Sequence, residues 1–479
     1  MLAVGLVALE STIVATAVPT IVHDLGGFSL FPWVFSAYLL PMAVTAPVYG
    51  KLSDLYGRRP MILFGTVLFL VGALLCGFAW SMPALIAARA VQGIGAGGLH
   101  GVSQTVVADM YDLKERGRVS GWMSSVWGMS AIVGPAVGGV LSQYGGWRWI
   151  FYLNVPIGLA ALAMVLTYFK ESVTPTRRRI DVEGGVLLML WTGLLVLGLL
   201  AGGVQWEWRS WQTPAVFACG AVLLVVFAWW ERRAAEPMLP PWVFGTRSIA
   251  GPNLAQVCVG LTVSGLTTFL PMFAQSVLSA TPVEAGFVLA AMSIGWPVAS
   301  SQAYRLYLRI GFRDTCLIGV GLMLVASGLF VAGGGGASIW YLGLASLVTG
   351  GGLGLLSNSS IVGVQSSVEW KRRGVATGSL IFTRTIGTAL GAAVFGGIAN
   401  ASLSAWLRDA PRGMHGLPAN VDDAARIAAA GGGSPVVEFV REGLAVSVQR
   451  VLWGVGVVAV LALVVVLVTP RRTRLAGED

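Results

Sequence analysis

One carboxylate, Glu10, stands inside an otherwise apolar stretch, LVALESTIVATAVPTI. An ionised carboxylate deep in a bilayer costs on the order of 3 kcal/mol, so such a group is suited to taking up and releasing a proton. The alternative is a structural acid held permanently by a cation. A cation is available in a second stretch, ARAVQGIGAGGLHGVSQ, where Arg89, Gln92, Ala96 and His100 are spaced to share one helical face. A stripe of guanidinium, amide and imidazole belongs against a wet cavity, not against lipid. Arg89 is placed to pair with Glu10. His100 reads as a satisfied cavity histidine or as a proton carrier. A third group is the run GKLSDLYGRRP, Gly50–Pro60, with Lys51, Asp54, Arg58 and Arg59 between two apolar stretches. Charge in hydrocarbon is expensive, so this knot sits at a membrane face. Asp54 and Arg58 stand four apart and meet if the stretch coils. Gly50 lets two helices approach closely, and Gly57 allows a tight turn. Without further evidence the run is a basic loop of the kind many multispan proteins carry.

These groups must be positioned by membrane helices. The chain is 56% hydrophobic and 11% charged, against about 25% charge in a soluble domain, and its mean hydropathy is +0.77. Lipid is therefore its main solvent. Apolar stretches of about 20 residues recur along the chain. They give about fourteen spans, near 1–22, 32–50, 61–80, 83–108, 119–141, 150–168, 184–204, 213–230, 248–273, 284–303, 315–332, 338–364, 375–400 and 450–469. Alternate intervals, beginning with 51–60, each carry three or four Lys or Arg, whereas the short intervals between them hold Arg148 and Arg209. Positive residues stay in the cytoplasm, so both termini are expected there. Arg89 and Arg384 remain inside the membrane. The net charge of +9 needs no nucleic acid as partner. Cys76, Cys219, Cys258 and Cys316 all lie in apolar stretches without a C-x-x-C pair, and read as small buried residues. Met1–Leu9 has no basic leader, so no removable signal peptide is expected. Because the first span starts almost at residue 1, a short cytoplasmic leader is expected to precede it.

An internal repeat underlies the spans. Arg116-Gly117 and Gly121 recur 257 residues later as Arg373-Gly374 and Gly378. The same offset carries Gly93, Gly95 and Gly97 onto Gly350, Gly352 and Gly354, and Gly134 onto Gly391. Gly57 has an echo in Gly311, with Leu308 where Asp54 would stand. Two similar halves result, with two inserted spans at the centre. The expected divisions are an N-terminal six-helix bundle over 1–168, a linker with the inserted pair over 169–247, and a C-terminal six-helix bundle over 248–479. The last contains a long outer loop, 401–449.

Several runs carry a family resemblance. Gly50, Leu52, Asp54, Gly57, Arg58 and Arg59 match G-x-L-x-D-x-x-G-R-R/K, the loop between spans 2 and 3 of the major facilitator superfamily. R-x-x-Q-G-x-G-A-G, from Arg89, resembles that family's span-4 motif. Gly121, Gly128 and GPAVGG, with Gly134, Pro135, Gly138 and Gly139, resemble the antiporter motif of proton-driven exporters, except that Ser130 stands where that motif has glycine. WRWIFYLNVPIG, Trp147–Gly158, resembles the entry to span 6 in the fourteen-span drug:proton antiporter branch; its aromatics and Arg148 would anchor at the outer headgroups. The resemblance covers nearly the whole chain and is strongest over 1–160.

The resemblance implies an all-α integral membrane protein of the major facilitator fold in the cell membrane, a monomer driven by the proton gradient without a cofactor. It implies that Asp54, Arg58 and Asp109 or Asp112 form a cytoplasmic cluster holding an inner gate closed. It also implies a cavity lined by spans 1, 4, 9 and 12. Gln92, Asn253, Gln256, Ser357, Asn358 and Arg384 are the polar candidates to line it, although such residues can equally join helices. Few charges and many aromatics suit a lipophilic or cationic small molecule. The activity so implied is proton-coupled export of such compounds. Export of an endogenous lipid, siderophore or secondary metabolite is the alternative on the same fold. A membrane enzyme or sensor is the remote one, since the chain has no G-x-x-x-x-G-K-[ST] loop, no metal-ligand cluster and no long soluble domain.

Overall fold

The computed structural model describes the chain apart from residues 26–31, 170, 172–180, 202–205, 207–209, 235–236, 238, 279, 334–336, 411–416, 419–423, 425–426, 428–434 and 472–479. It is built from helices. The first residues form α1 (Leu2–Ile13), a 3-10 turn (Val14–Ala17) and α2 (Val18–Leu25), so the expected first span changes pitch partway along. Pro19 supplies no N–H to Ala15, which removes one bond of a continuous α-ladder. There follow α3 (Pro32–Tyr56), α4 (Arg58–Gly77), α5 (Met82–Met110), α6 (Leu113–Val140), α7 (Arg148–Tyr152), α8 (Asn154–Tyr168), α9 (Val182–Ala201) and α10 (Gln212–Glu231). The remainder comprises α11 (Trp242–Gly245), α12 (Arg247–Ser276), α13 (Pro282–Ile310), α14 (Phe312–Gly333), α15 (Ile339–Ser367), α16 (Arg373–Arg408) and α17 (Pro435–Val468).

Local signals set many of these boundaries. Ser81 caps α5, with Pro83 in the first turn. Thr281 and Glu284 form a reciprocal capping box at the start of α13. Gly57, between α3 and α4, and Gly311, between α13 and α14, both have left-handed backbone, with φ of 97° and 88°. The sequence repeat is thus a repeat of turn geometry.

Among the described residues, nine helices are long and apolar enough to cross a membrane, and Leu2–Ile13 and Glu183–Leu199 are shorter apolar helices. The large apolar side chains left on the outside, such as Phe64, Val71, Leu159, Val225 and Val457, suit a lipid surround. Cys219, expected to be buried, is exposed on α10, whereas the other three cysteines are buried. Trp147 of the expected headgroup anchor packs inside the protein beside Ala79 and Phe151, and its indole Nε1 donates to Asp24 Oδ2 at 3.0 Å. The neighbouring Trp149 is exposed. The expected loop 401–449 is shorter at both ends, since α16 continues to Arg408 and α17 begins at Pro435. Charged residues there end the apolar run without ending the helix.

The chain forms two compact units. One holds Met1–Asn253 with Ser360–Thr383, the other Leu254–Ser359 with Arg384–Arg471. Within the first unit, a Cβ on Gly93 or Gly97 would strike α3 backbone at Tyr38 or Met42, and one on Gly95 would strike α4 at Phe69. Within the second, Gly350 and Gly354 meet α13 at Met292 and Trp296, and Gly352 meets α14 at Gly319. The two glycine triplets thus do the same packing work, one in each unit. The second unit's core joins α12, α14, α15, α16 and α17 through residues such as Leu266, Val320, Leu353, Phe395 and Val455.

Candidate functional site

The first centre lies in the first unit. Glu10 of α1 is fully buried and forms an ion pair with Arg89 of α5 through Oε1. Its Oε2 accepts a hydrogen bond of 2.6 Å from Asn154 Nδ2 of α8. Arg89 is held by further partners. Its Nη1 also donates to Gln92 Oε1 at 2.8 Å, its Nε donates to the Val34 carbonyl at 3.1 Å, and its guanidinium lies over the Tyr38 ring at 4.1 Å. Arg89, Gln92, Asn154 and Tyr38 are all buried. One carboxylate therefore ties together α1, α5 and α8, and α3 closes over its cation. The arrangement satisfies an ion pair where burial would otherwise be prohibitive. It can also change charge, because a proton on Glu10 removes the partner of Arg89. The pairing of Glu10 with Arg89 is as expected from sequence. Asn154 and Tyr38 were not foreseen; the signal for Asn154 is one amide within the apolar run FYLNVPIG. His100 is buried farther along α5 with its ring edge against Trp127 of α6, at 5.5 Å between centroids.

The antiporter-like segment packs behind this centre. A Cβ on Gly134 would collide with Thr12, two residues beyond Glu10, and Thr12 Oγ1 donates to the Ser130 carbonyl at 2.8 Å. Ser130, which departs from the motif, thus meets α1 through its backbone. Gly121 and Gly138 are buried in α6, which runs helical through Pro135 and Gly139.

A second centre, also in the first unit, surrounds the basic run. Asp54 Oδ1 accepts from Arg58 Nη1 at 2.5 Å and from Gly374 N at 2.9 Å, and Oδ2 accepts from Val375 N at 2.9 Å. Asp54 thereby caps the N-terminus of α16, where unpaired N–H groups and the helix dipole favour an anion. Gly50 and Gly374 make this approach possible, because a Cβ on either would strike the other's carbonyl. Arg58 Nε donates to Asp109 Oδ2 at 3.0 Å and Nη2 to the Trp370 carbonyl at 3.2 Å, and its guanidinium lies 4.7 Å from the Trp370 ring centroid. Asp109 Oδ1 is held by Arg373 Nη1 at 3.1 Å. Of the two acids expected here, the structure places Asp109 in the cluster. Asp112 is the N-cap of α6, accepting from Glu115 N at 2.8 Å, because its position one residue before the helix makes it the cap. Arg59 points away and donates to the Leu166 carbonyl. The repeat reaches these bonds too. Arg116 donates to the carbonyl of Ala108, and Arg373 donates to that of Gln365, its equivalent 257 residues on.

The expected cavity residues join helices. Within the second unit, Gln256 Nε2 donates to Ser357 Oγ at 3.2 Å, and Asn358 Nδ2 donates to the Ser300 carbonyl at 2.6 Å. In the first unit, Thr383 Oγ1 donates to Asn253 Oδ1 at 3.3 Å. Arg384 is half-buried, and its carbonyl lies against Gly260, where α12 and α16 pack closely.

A family model for the Major Facilitator Superfamily matches residues 1–392. Multidrug resistance protein 3 of Bacillus subtilis (strain 168) is 33% identical over 479 residues, covering 98% of this chain and 93% of the relative. Multidrug transporter protein MdtP of the same organism is 32% identical over 409 residues, covering 84% of this chain and 74% of the relative. Among solved structures, the proton:xylose symporter XylE matches with a TM-score of 0.64 at 13% identity, over 97% of this chain and 92% of the symporter, a likeness of fold.

Proposed function

This chain belongs to the Major Facilitator Superfamily, and from that premise we propose that it exports lipophilic or cationic small molecules in exchange for protons, by alternating access. It is a multi-pass membrane transporter and not an enzyme. The export direction and substrate class draw on relatives whose names are those of multidrug resistance and transporter proteins. In this reading the chain crosses the cell membrane about fourteen times with both termini in the cytoplasm. It acts as a monomer of two six-helix halves plus an inserted pair, and needs a proton gradient but no cofactor.

The observation that carries the coupling is the Glu10 centre. In the ionised state Glu10 binds Arg89 and Asn154 and holds α1 against α5 and α8. Protonation removes the charge, loosens Arg89 and releases that three-helix tie. The 3-10 turn directly after α1 gives the helix a place to flex, since such turns inside helices often mark hinges. Proton and substrate binding are then linked through one group, and the linkage is reciprocal. The Asp54–Arg58–Asp109 cluster, by clamping the start of α16, serves as the cytoplasmic gate. The test is uphill export from proteoliposomes with an imposed pH gradient, using a compound panel. Gradient-dependent movement of lipophilic cations supports the reading, and movement of an endogenous lipid or metabolite alone replaces the substrate class. Transport indifferent to the gradient contradicts proton coupling.

A further inference from the structure

The clamp has a support outside the recognised motifs. Glu171 lies three residues beyond the end of α8, and its carboxylate reaches the start of α4. Oε1 accepts from the Arg58 backbone N–H at 2.8 Å, and Oε2 accepts from that of Arg59 at 2.7 Å. The first N–H groups of a helix lack intrahelical partners and carry its positive partial charge, so a two-pronged carboxylate is a strong cap. The exchange is mutual. Arg59 Nη2 donates at 2.8 Å to the carbonyl of Leu166, in the last turn of α8, where carbonyls lack helical donors. Gly57 is shaped to this contact as well as to its φ. A Cβ there would lie 2.8 Å from Glu171 Oε2 and 3.2 Å from its carboxyl carbon. Arg58, whose backbone Glu171 holds, is also the residue whose guanidinium links Asp54, Asp109 and Trp370.

The geometry points to Glu171 as a positioning residue of the clamp, fixing the first turn of α4 so that Arg58 meets Asp54 and Asp109. This ties the gate to the connector that leads from α8 towards the inserted pair. It rests on the reading of the clamp as a cytoplasmic gate.

The test uses the full chain in inverted membrane vesicles, with the four native cysteines replaced by alanine. Thr105→Cys then puts one thiol at a buried position a turn inside Asp109 on α5. The rate of labelling by an impermeant maleimide, added from the cytoplasmic side, reads opening of the clamp. Asp54→Asn should raise that rate about tenfold, the order expected for one lost charge-assisted hydrogen bond. Glu171→Ala should raise it comparably. Glu171→Gln, which keeps the size and one acceptor oxygen, should raise it less. Asp54→Asn with Glu171→Ala should exceed neither single change by much, because both act through one element. Raised labelling in Asp54→Asn with wild-type labelling in both Glu171 variants overturns the role of Glu171 and leaves the gate reading standing. A lower unfolding temperature in Glu171→Ala without faster labelling marks a structural cap and also overturns it. Wild-type labelling in all of these variants overturns the gate reading itself.

Discussion

At Glu10 and Arg89, two charges share a buried site in which each is the other's main compensation. Removing one member of such a pair is far more damaging than replacing both, because the survivor is left charged and unpartnered. Arg89→Ala should therefore lower stability by about 3 kcal/mol, measured as thermal unfolding in detergent. The double change Glu10→Gln, Arg89→Met should recover most of that loss. A double variant as unstable as Arg89→Ala would mean that the ion pair and its hydrogen bonds stabilise the fold beyond what a size-matched neutral pair can supply. This pair was legible in the sequence because each member is a lone charge in an apolar run. Asn154 was not, because one amide has many uses and its partner is 144 residues away. Glu171 was hidden for the opposite reason: it is one charge among several in a polar connector, and nothing in its spacing marks it as a helix cap.

At the scale of helices, the glycines divide into those against backbone and those in open space. Gly93 faces the Tyr38 carbonyl at a distance no Cβ can occupy, whereas a Cβ on Gly321 of α14 meets nothing within 4 Å. Gly93→Ala should thus separate α5 from α3 and lower the unfolding temperature. Gly321→Ala should leave it unchanged or raise it, since alanine is favoured over glycine in a helix by about 1 kcal/mol. Equal effects of the two would show that the contact at Gly93 is not limiting. The glycine repeat was readable from sequence because close helix packing demands glycine at fixed spacing. The shortened connection between α16 and α17 was not, since helices such as α17 continue through charged residues once they leave the apolar run. The pitch change after Ile13 was equally hidden, because apolar periodicity does not distinguish an α-helix from a short 3-10 turn.

For the whole molecule, the proposed orientation rests on the cation-rich intervals. A single cysteine at Arg178 or Arg372 should escape an impermeant reagent in intact cells and react once the membrane is permeabilised. Labelling of either from outside would invert the topology. Arg178 lies outside the described residues, so its expectation rests on sequence, whereas Arg372 closes the short turn immediately before α16. Proton coupling is tested most directly by Glu10→Gln, because glutamine mimics the protonated acid permanently while keeping its shape. The measurement is substrate movement in proteoliposomes, once with an imposed pH gradient and once down a substrate gradient alone. Glu10→Gln should abolish gradient-driven uphill export yet retain some downhill exchange, and Glu10→Asp should keep partial uphill export. Uphill export by Glu10→Gln at the wild-type rate would contradict coupling through Glu10 and leave it a structural partner of Arg89.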